Sequence, residues 1–195
     1  MKVEDSTLVA VRAFERMGVK HYVTGSLASS LHGEPRATND ADVVAVLRPE
    51  HFTRLNDELK NRFFLDEDDF VAAASNERSF NLIDEVELAK VDVFCVRADG
   101  YQAEALTRTV RLELERDDPF SAVEVASPED VIISKLRWYR LGGDVSDRQW
   151  RDVVGVLSAQ HGRLDLLYVR RWCQHFQLED LFERAVSQVD DPLRR

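Results

Sequence analysis

The acidic pair Asp40 and Asp42 is the feature of this sequence with the clearest chemical potential. Side chains at positions i and i+2 of a strand project from the same face, and the apolar residues 43–47 that follow predict such a strand. A third acid, Asp92, lies in the apolar segment 90–96, where an unpaired charge would be costly. Three carboxylates brought together repel one another unless a positive charge lies between them. Because Mg²⁺ binds oxygen ligands, the three acids predict a magnesium site.

A Gly25-Ser26 pair precedes these acids, between a predicted strand at 21–24 and a short helical segment at 26–31. Glycine has no Cβ, so its backbone can approach a phosphate closely. Ser26 offers a hydroxyl and an N–H at a helix N-terminus, which favours an anion, although it is also an acceptable N-cap. Arg36 could bind a phosphate through two hydrogen bonds or form a surface ion pair. These residues are therefore candidates for binding a phosphorylated ligand.

The order of these motifs resembles the signature of the DNA polymerase β-like nucleotidyltransferase superfamily. That signature is an apolar strand, a Gly-Ser turn that opens a helix, an acid-x-acid pair on the next strand and a third acid on a later strand. The Arg-x-Thr-x-Asp-x-Asp form of residues 36–42, with the later segment 128–136, is similar to the branch that contains AbiEii-type toxins and related uncharacterised nucleotidyltransferases. The resemblance extends from Tyr22 to about Asp152.

The resemblance implies a Mg²⁺-dependent transfer of a nucleoside monophosphate from a nucleoside triphosphate to a hydroxyl acceptor. Asp40, Asp42 and Asp92 would ligate the metal, and Asp92 would also take the proton of the acceptor hydroxyl. The nucleotide would be bound by Gly25, Ser26, Arg36 and Lys135. A helical lysine such as Lys135 is usually solvated when its sequence context alone is considered. Lys90 is either its rival for the phosphates or an ion-pair partner of Asp92.

The elements predicted around these motifs define an α+β fold with a mixed β-sheet nucleotidyltransferase core and flanking helices. We expect the core at residues 1–126 and a helical C-terminal region, packed on that core, at residues 127–195. Ser127 and Pro128 predict a clear helix start, with Asp130 completing a capping box. Further strands are predicted at 79–83, 88–96, 109–114 and 122–125, and helices at 6–17, 49–62, 128–141, 146–157, 164–175 and 178–189.

The composition restricts the partners and the cellular location. A net charge of −10 argues against non-specific nucleic-acid binding, although a local basic patch could still contact an acceptor. No apolar run approaches the length of a membrane span and no secretory signal is evident, so we expect a cytoplasmic protein without a membrane partner. Cys95 and Cys173 are expected to be free buried thiols. Candidate arginines for a basic patch are Arg137, Arg140 and Arg148, or Arg163, Arg170 and Arg171.

Two classes of function stay open. The first is a nucleotidyltransferase that modifies tRNA or a protein; one setting for it is the toxin of a toxin–antitoxin pair, with an antitoxin protein as partner. Within this class, a small-molecule acceptor such as an antibiotic hydroxyl is an alternative, because an acidic surface suits a cationic substrate. The second class is a catalytically degenerate nucleotidyltransferase fold that only binds nucleotide or a partner. The retention of all three acids argues against it.

Overall fold

The computed structural model describes residues 3–115 and 117–190 of the 195-residue chain. Their fold is α+β, as predicted, and they form two compact units. The first unit contains a mixed β-sheet with helices, and the second is helical. The described residues of Met1–Leu27 and Ala37–Val125 make up the first unit, and those of Ala28–Arg36 and Ala126–Arg195 make up the second.

Seven strands form the sheet within the described part of the chain: β1 His21–Thr24, β2 Asp40–Ala45, β3 Phe63–Phe64, β4 Ser79–Asp84, β5 Ala89–Cys95, β6 Val110–Glu113 and β7 Ala122–Val125. Their order is β3-β4-β5-β2-β1-β7-β6. The pairs β2–β5 and β1–β7 are parallel, and the other neighbours are antiparallel. Burial alternates along β5, so Val91 and Val93 enter the core while Lys90 and Asp92 lie half-buried on the other face. This alternation specifies the register, because a slip by one residue would exchange the two faces.

The helices of the first unit are α1 Val3–Met17, α3 Phe52–Leu59, α4 Glu67–Asn76 and α5 Gly100–Ala105, with 3-10 turns at Pro49–His51 and Pro119–Ser121. Helix α2, Gly25–His32, begins in the first unit and its later residues belong to the second. The single helix predicted at 49–62 is instead a 3-10 turn followed by α3. Helix α3 ends at Leu59, because the chain has to leave the helix before Phe63, which is buried and pairs with Asp84 on β4. Neither β3 nor α5 was predicted, since both are too short to show a periodic pattern.

The second unit contains α6 Pro128–Leu141, α7 Asp147–Ala159, α8 Leu166–Phe176 and α9 Glu179–Asp190. The predicted start of α6 is confirmed: the Ser127 Oγ accepts a hydrogen bond from the Asp130 backbone N–H at 3.1 Å. The buried Asp130 carboxylate accepts hydrogen bonds from the Ser127 hydroxyl at 2.7 Å and from the Tyr168 hydroxyl at 2.7 Å. Asp130 therefore serves less as a capping box than as a polar link between α6 and α8.

Two further predictions concern the cysteines and the membrane. Cys95 and Cys173 are free and buried, as expected, and burial raises the pKa of each thiol to about 12. Such thiols are protonated at neutral pH and behave as small apolar side chains. None of the helices formed by the described residues has the length and apolar character needed to span a bilayer.

Candidate active site

Asp42 and Asp92 occupy directly opposite positions on the parallel strands β2 and β5. Adjacent strands are about 4.8 Å apart, and paired side chains on them project from the same face of the sheet. The neighbouring residues Ala41 and Val91 are fully buried on the other face. The two carboxylates are therefore side by side on the more exposed face, although they are far apart in the sequence. Strand pairing brings these two predicted site residues together.

Asp40 is the third acid on this face, at the exposed first position of β2. It lies two residues before Asp42 and opposite Lys90 on β5. Its carboxylate accepts a hydrogen bond from the Thr38 hydroxyl, with 2.7 Å between Thr38 Oγ1 and Asp40 Oδ1. The local contact with Thr38 holds this carboxylate at the start of the strand. All three predicted acids thus share one face and two adjacent strands.

Gly25 makes room for Asp42. Its φ of +64° lies in the left-handed region, and a Cβ added to it would lie 1.8 Å from Asp42 Oδ2. No side chain fits in that space, so the Asp42 carboxylate lies directly against the Gly25 backbone. Close approach of a phosphate is thus not the sole reason for a glycine at this position, since the packing of a site acid requires it as well. Ser26 follows in the first turn of α2.

Lys90 contributes a positive charge to the same face. Its Nζ lies 2.8 Å from Asp92 Oδ2, so the ion-pair alternative of the sequence analysis is confirmed. The hydrogen bond to Asp92 raises the pKa of Lys90, although partial burial opposes the shift; the charges of Asp92, Asp40 and Asp42 raise it further. The ammonium is therefore within electrostatic reach of all three carboxylates.

The donor set fits a magnesium ion in chemical type, since three carboxylates on one face supply hard oxygen ligands. Their present rotamers do not form a closed site. Within residues 3–115 and 117–190, no three Asp, Glu, His or Cys side chains lie close enough together to hold a metal. The contacts above explain this: Lys90 binds Asp92, and Thr38 binds Asp40. The backbone positions suit an ion, and side-chain rotation is needed to form the site.

Arg36 and Lys135, the other predicted nucleotide-binding residues, lie in the second unit and meet at Asp152. Arg36 donates to Asp152 through Nε at 2.9 Å and through a second guanidinium nitrogen at 3.0 Å. Lys135 Nζ lies 2.7 Å from Asp152 Oδ2, and its side chain is only 4% exposed. Lys135 is thus buried rather than solvated. Burial alone would raise the pKa of Asp152, but the hydrogen bonds from Arg36 and Lys135 lower it below its usual value.

Asp152 was not among the predicted site residues, although the resemblance extends to about this residue. No local sequence signal distinguishes it from Asp144, which precedes α7, or from Asp147 at the start of α7. The structure distinguishes it by burial and by the two cations that it binds. His32, the last residue of α2, is buried, and its Nε2 lies 2.8 Å from the Ala126 carbonyl oxygen.

The candidate basic patches on the helices consist largely of arginines with partners. Arg140 contacts Asp180 at 2.7 Å and also pairs with Asp144. Arg170 pairs with Glu183 at 3.0 Å. Arg137 lies over the ring of Phe176, 4.2 Å from its centroid. Such contacts are typical of a solvated helix surface and add nothing in favour of a nucleic-acid interface.

Comparisons with known proteins identify the fold. No protein-family model matches the sequence, and no curated protein matches it significantly. The solution structure of the antibiotic-resistance factor ANT(2'')-Ia has a TM-score of 0.55 and 14% identity, with coverage of 96% of this chain and 99% of the other. Its crystal structure with adenylyl-2''-tobramycin has a TM-score of 0.54 and 14% identity, covering 89% and 96%. This chain has the nucleotidyltransferase fold.

An antigenic nucleotidyltransferase-like protein from Paracoccidioides brasiliensis shares the same fold. Its TM-score is 0.50, with 16% identity and coverage of 95% of this chain and 92% of the other. The nucleotidyltransferase fold was predicted from the Gly-Ser turn and the three acids, and the prediction is confirmed. The similarity to AbiEii-type proteins stays a prediction. At such low identity the likeness concerns the fold, so the chemistry has to be argued from the site itself.

Proposed function

We propose that this chain is a Mg²⁺-dependent nucleotidyltransferase: an acceptor hydroxyl attacks the α-phosphate of a nucleoside triphosphate, the nucleoside monophosphate is transferred to the acceptor, and pyrophosphate leaves. The observation that carries the proposal is the register that sets Asp42 opposite Asp92, with Asp40 on the same face. The packing of the Asp42 carboxylate against Gly25 supports it, because a purely structural turn would not require an acid in that space.

Each acid has a role that follows from its position. Asp42 and Asp92 would hold the metal between β2 and β5, and Asp40 would bind from the start of β2 after leaving Thr38. When bound, Mg²⁺ would offset the charge on the phosphate oxygens. Asp92 is the acid closest to β4, so we assign to it the acceptance of the proton from the acceptor hydroxyl.

The nucleotide contacts are proposed on chemical grounds. The backbone N–H and hydroxyl of Ser26, in the first turn of α2, can donate hydrogen bonds to a phosphate. Arg36 and Lys135 stay candidates because Asp152 holds both cations in defined positions, and a fixed guanidinium can donate two parallel hydrogen bonds to a phosphate. Since the Asp42 carboxylate occupies the space beside the Gly25 backbone, the contribution of Gly25 to nucleotide binding would be indirect.

The acceptor would approach from the β4 side of Asp92. Asn81 lies directly opposite Asp92, and Ser79, Asn81 and Ile83 are exposed along this strand. We propose tRNA or a protein as acceptor, in the cytoplasm where nucleoside triphosphates are available, with the toxin role and its antitoxin partner resting on the resemblance to AbiEii-type proteins. A small cationic acceptor is the second candidate. The net charge of −10 favours it, and the related fold of ANT(2'')-Ia was solved with adenylyl-2''-tobramycin.

Label transfer tests the proposal. The purified protein is incubated with Mg²⁺ and each α-labelled nucleoside triphosphate in turn, together with tRNA, a protein extract or an aminoglycoside. We expect label in one acceptor pool, lost on chelation of the metal and lost in Asp42→Asn. Triphosphate binding without transfer to any pool would favour the degenerate fold that only binds nucleotide.

A further inference from the structure

Lys90 is the cation that the strand β5 itself supplies to the three-acid face. It lies two residues before Asp92 on the same face and directly opposite Asp40 on β2. Its ammonium lies 2.8 Å from Asp92 Oδ2. The Asp92 side chain is 18% exposed and that of Lys90 is 44% exposed, so the carboxylate is confined while the lysine has access to solvent. Of the two, Lys90 is the one that can move away.

The position of Lys90 conflicts with a metal ion on Asp92. A magnesium ion lies about 2.1 Å from a carboxylate oxygen that binds it. With the ammonium 2.8 Å from that same oxygen, the two cations could be no more than about 5 Å apart. Like charges at such a distance repel strongly when partly shielded from water. Occupation of Asp92 by a metal and by Lys90 is therefore mutually unfavourable.

We propose that Lys90 is an internal counter-ion that competes with the metal for Asp92, an inference that rests on the proposed function. In the metal-free protein Lys90 offsets the repulsion among Asp40, Asp42 and Asp92. When a metal binds, Lys90 leaves Asp92 and turns outward on its flexible stem. An incoming triphosphate then supplies new anionic partners for the released ammonium. Metal alone must displace Lys90, whereas metal that arrives with a triphosphate brings Lys90 a replacement partner.

A thermodynamic cycle makes this inference measurable. Whatever free energy Lys90 contributes to the folded metal-free protein is lost again when the metal displaces it. Removing the lysine should therefore destabilise the metal-free protein and strengthen metal binding together. If Lys90 were only a solvated surface residue, its removal would change neither the stability of the metal-free protein nor the metal affinity. If Lys90 instead positioned Asp92 for the metal, removal of the lysine would weaken metal binding.

The test compares Lys90→Met with a matched control, Lys60→Met. Lys60 also pairs with a neighbouring carboxylate, at 2.9 Å from Asp57, and both substitutions remove one positive charge from the first unit. Mn²⁺ is titrated alone into each protein by calorimetry, and thermal unfolding is followed in chelator. We expect Lys90→Met to bind Mn²⁺ about tenfold more tightly, a change that corresponds to about 1.4 kcal/mol, and to unfold at a lower temperature in chelator. Lys60→Met should bind like the parent.

A second measurement uses the unchanged chain, in case Lys90→Met does not fold. The rate of acetylation of Lys90 is compared with that of Lys60 by mass spectrometry, with and without Mn²⁺. We expect Mn²⁺ to accelerate modification of Lys90 alone. Equal rates at Lys90 with and without metal would overturn the inference, as would unchanged or weaker Mn²⁺ binding by a folded Lys90→Met protein.

The outcomes separate this inference from the proposed function. Tighter Mn²⁺ binding by Lys90→Met without nucleotide transfer by the parent would support the counter-ion and refute the transferase. Nucleotide transfer by the parent, with unchanged Mn²⁺ affinity in Lys90→Met, would support the transferase and refute the counter-ion. If neither protein binds Mn²⁺, both proposals fail.

Discussion

Substitution of Gly25 by alanine tests whether the Gly-Ser turn exists to accommodate a site acid. Two costs follow from the structure. The φ of +64° would strain a residue with a Cβ by about 1–2 kcal/mol. The new Cβ would also lie 1.8 Å from Asp42 Oδ2, whereas ordinary contacts begin at 3.4 Å, so the two atoms have to move apart by about 1.6 Å. Rotation of the carboxylate alone does not relieve the collision, because Asp42 Cβ would lie only 2.8 Å away. Displacements of about 1 Å at a reacting centre cost on the order of 100-fold in rate.

Gly18→Ala is the matched control for this substitution. Gly18 has a φ of +71° and no heavy atom among the described residues within 4 Å of an added Cβ, so its alanine variant carries the strain without the collision. In denaturant titrations we expect Gly18→Ala to lose about 1–2 kcal/mol of stability through strain alone, and Gly25→Ala to lose at least as much because the collision adds to the strain. Nucleotide transfer, measured as kcat/KM with labelled triphosphate, should fall at least 100-fold in Gly25→Ala and remain near the parent value in Gly18→Ala.

The result that refutes this reasoning is specific. If Gly25→Ala folds and transfers nucleotide within threefold of Gly18→Ala, the Asp42 carboxylate does not need its place against the turn. A loss confined to triphosphate affinity, with Mn²⁺ binding intact, would instead assign Gly25 to the direct approach of a phosphate.

Three further substitutions address the acids. Asp42→Asn should reduce kcat/KM by roughly 100-fold or more while the fold persists, since one metal ligand and one repelling charge are removed; transfer at the parental rate would contradict the metal-site assignment. Asp92→Ala should keep measurable triphosphate binding in calorimetry while kcat falls by a larger factor than KM rises. A fall in kcat no larger than the rise in KM would argue against a role for Asp92 in the chemical step. Asp152→Asn should lower stability by about 3–5 kcal/mol, because buried Lys135 loses its anionic partner. The lowered pKa of Asp152 means that its stabilising contribution is present above its ordinary pKa of 3.8 and is lost as the pH falls through the folded-state pKa. The difference in unfolding temperature between the parent and Asp152→Asn should therefore shrink as the pH is lowered below about 4. A difference that stays constant as the pH is lowered further would contradict this expectation.

Local sequence patterns were sufficient for the elements that carry the site. The apolar residues of β1 followed by Gly25 predicted a strand that ends in a turn, and the structure has that strand at His21–Thr24. Ser127 and Pro128 predicted the start of α6 from the hydrogen-bonding needs of a helix N-terminus. The i, i+2 spacing placed Asp40 and Asp42 on one face once the apolar residues 43–47 had predicted a strand. These features follow from interactions within a few residues, which is why the sequence determines them.

Tertiary structure decided what each site residue contacts. The pairing of β2 with β5 set Asp42 opposite Asp92, and nothing in either strand alone specifies that partner or register. It is determined by the core-facing residues of both strands, such as Val43 and Val93, which must be buried on one face together. The same pairing selected the ion-pair role for Lys90. Packing against Asp42 revealed why position 25 is glycine, because a Cβ there has no space once the strands are assembled. Contacts between residues distant in sequence depend on which apolar surfaces meet, and that is settled only when the whole core forms.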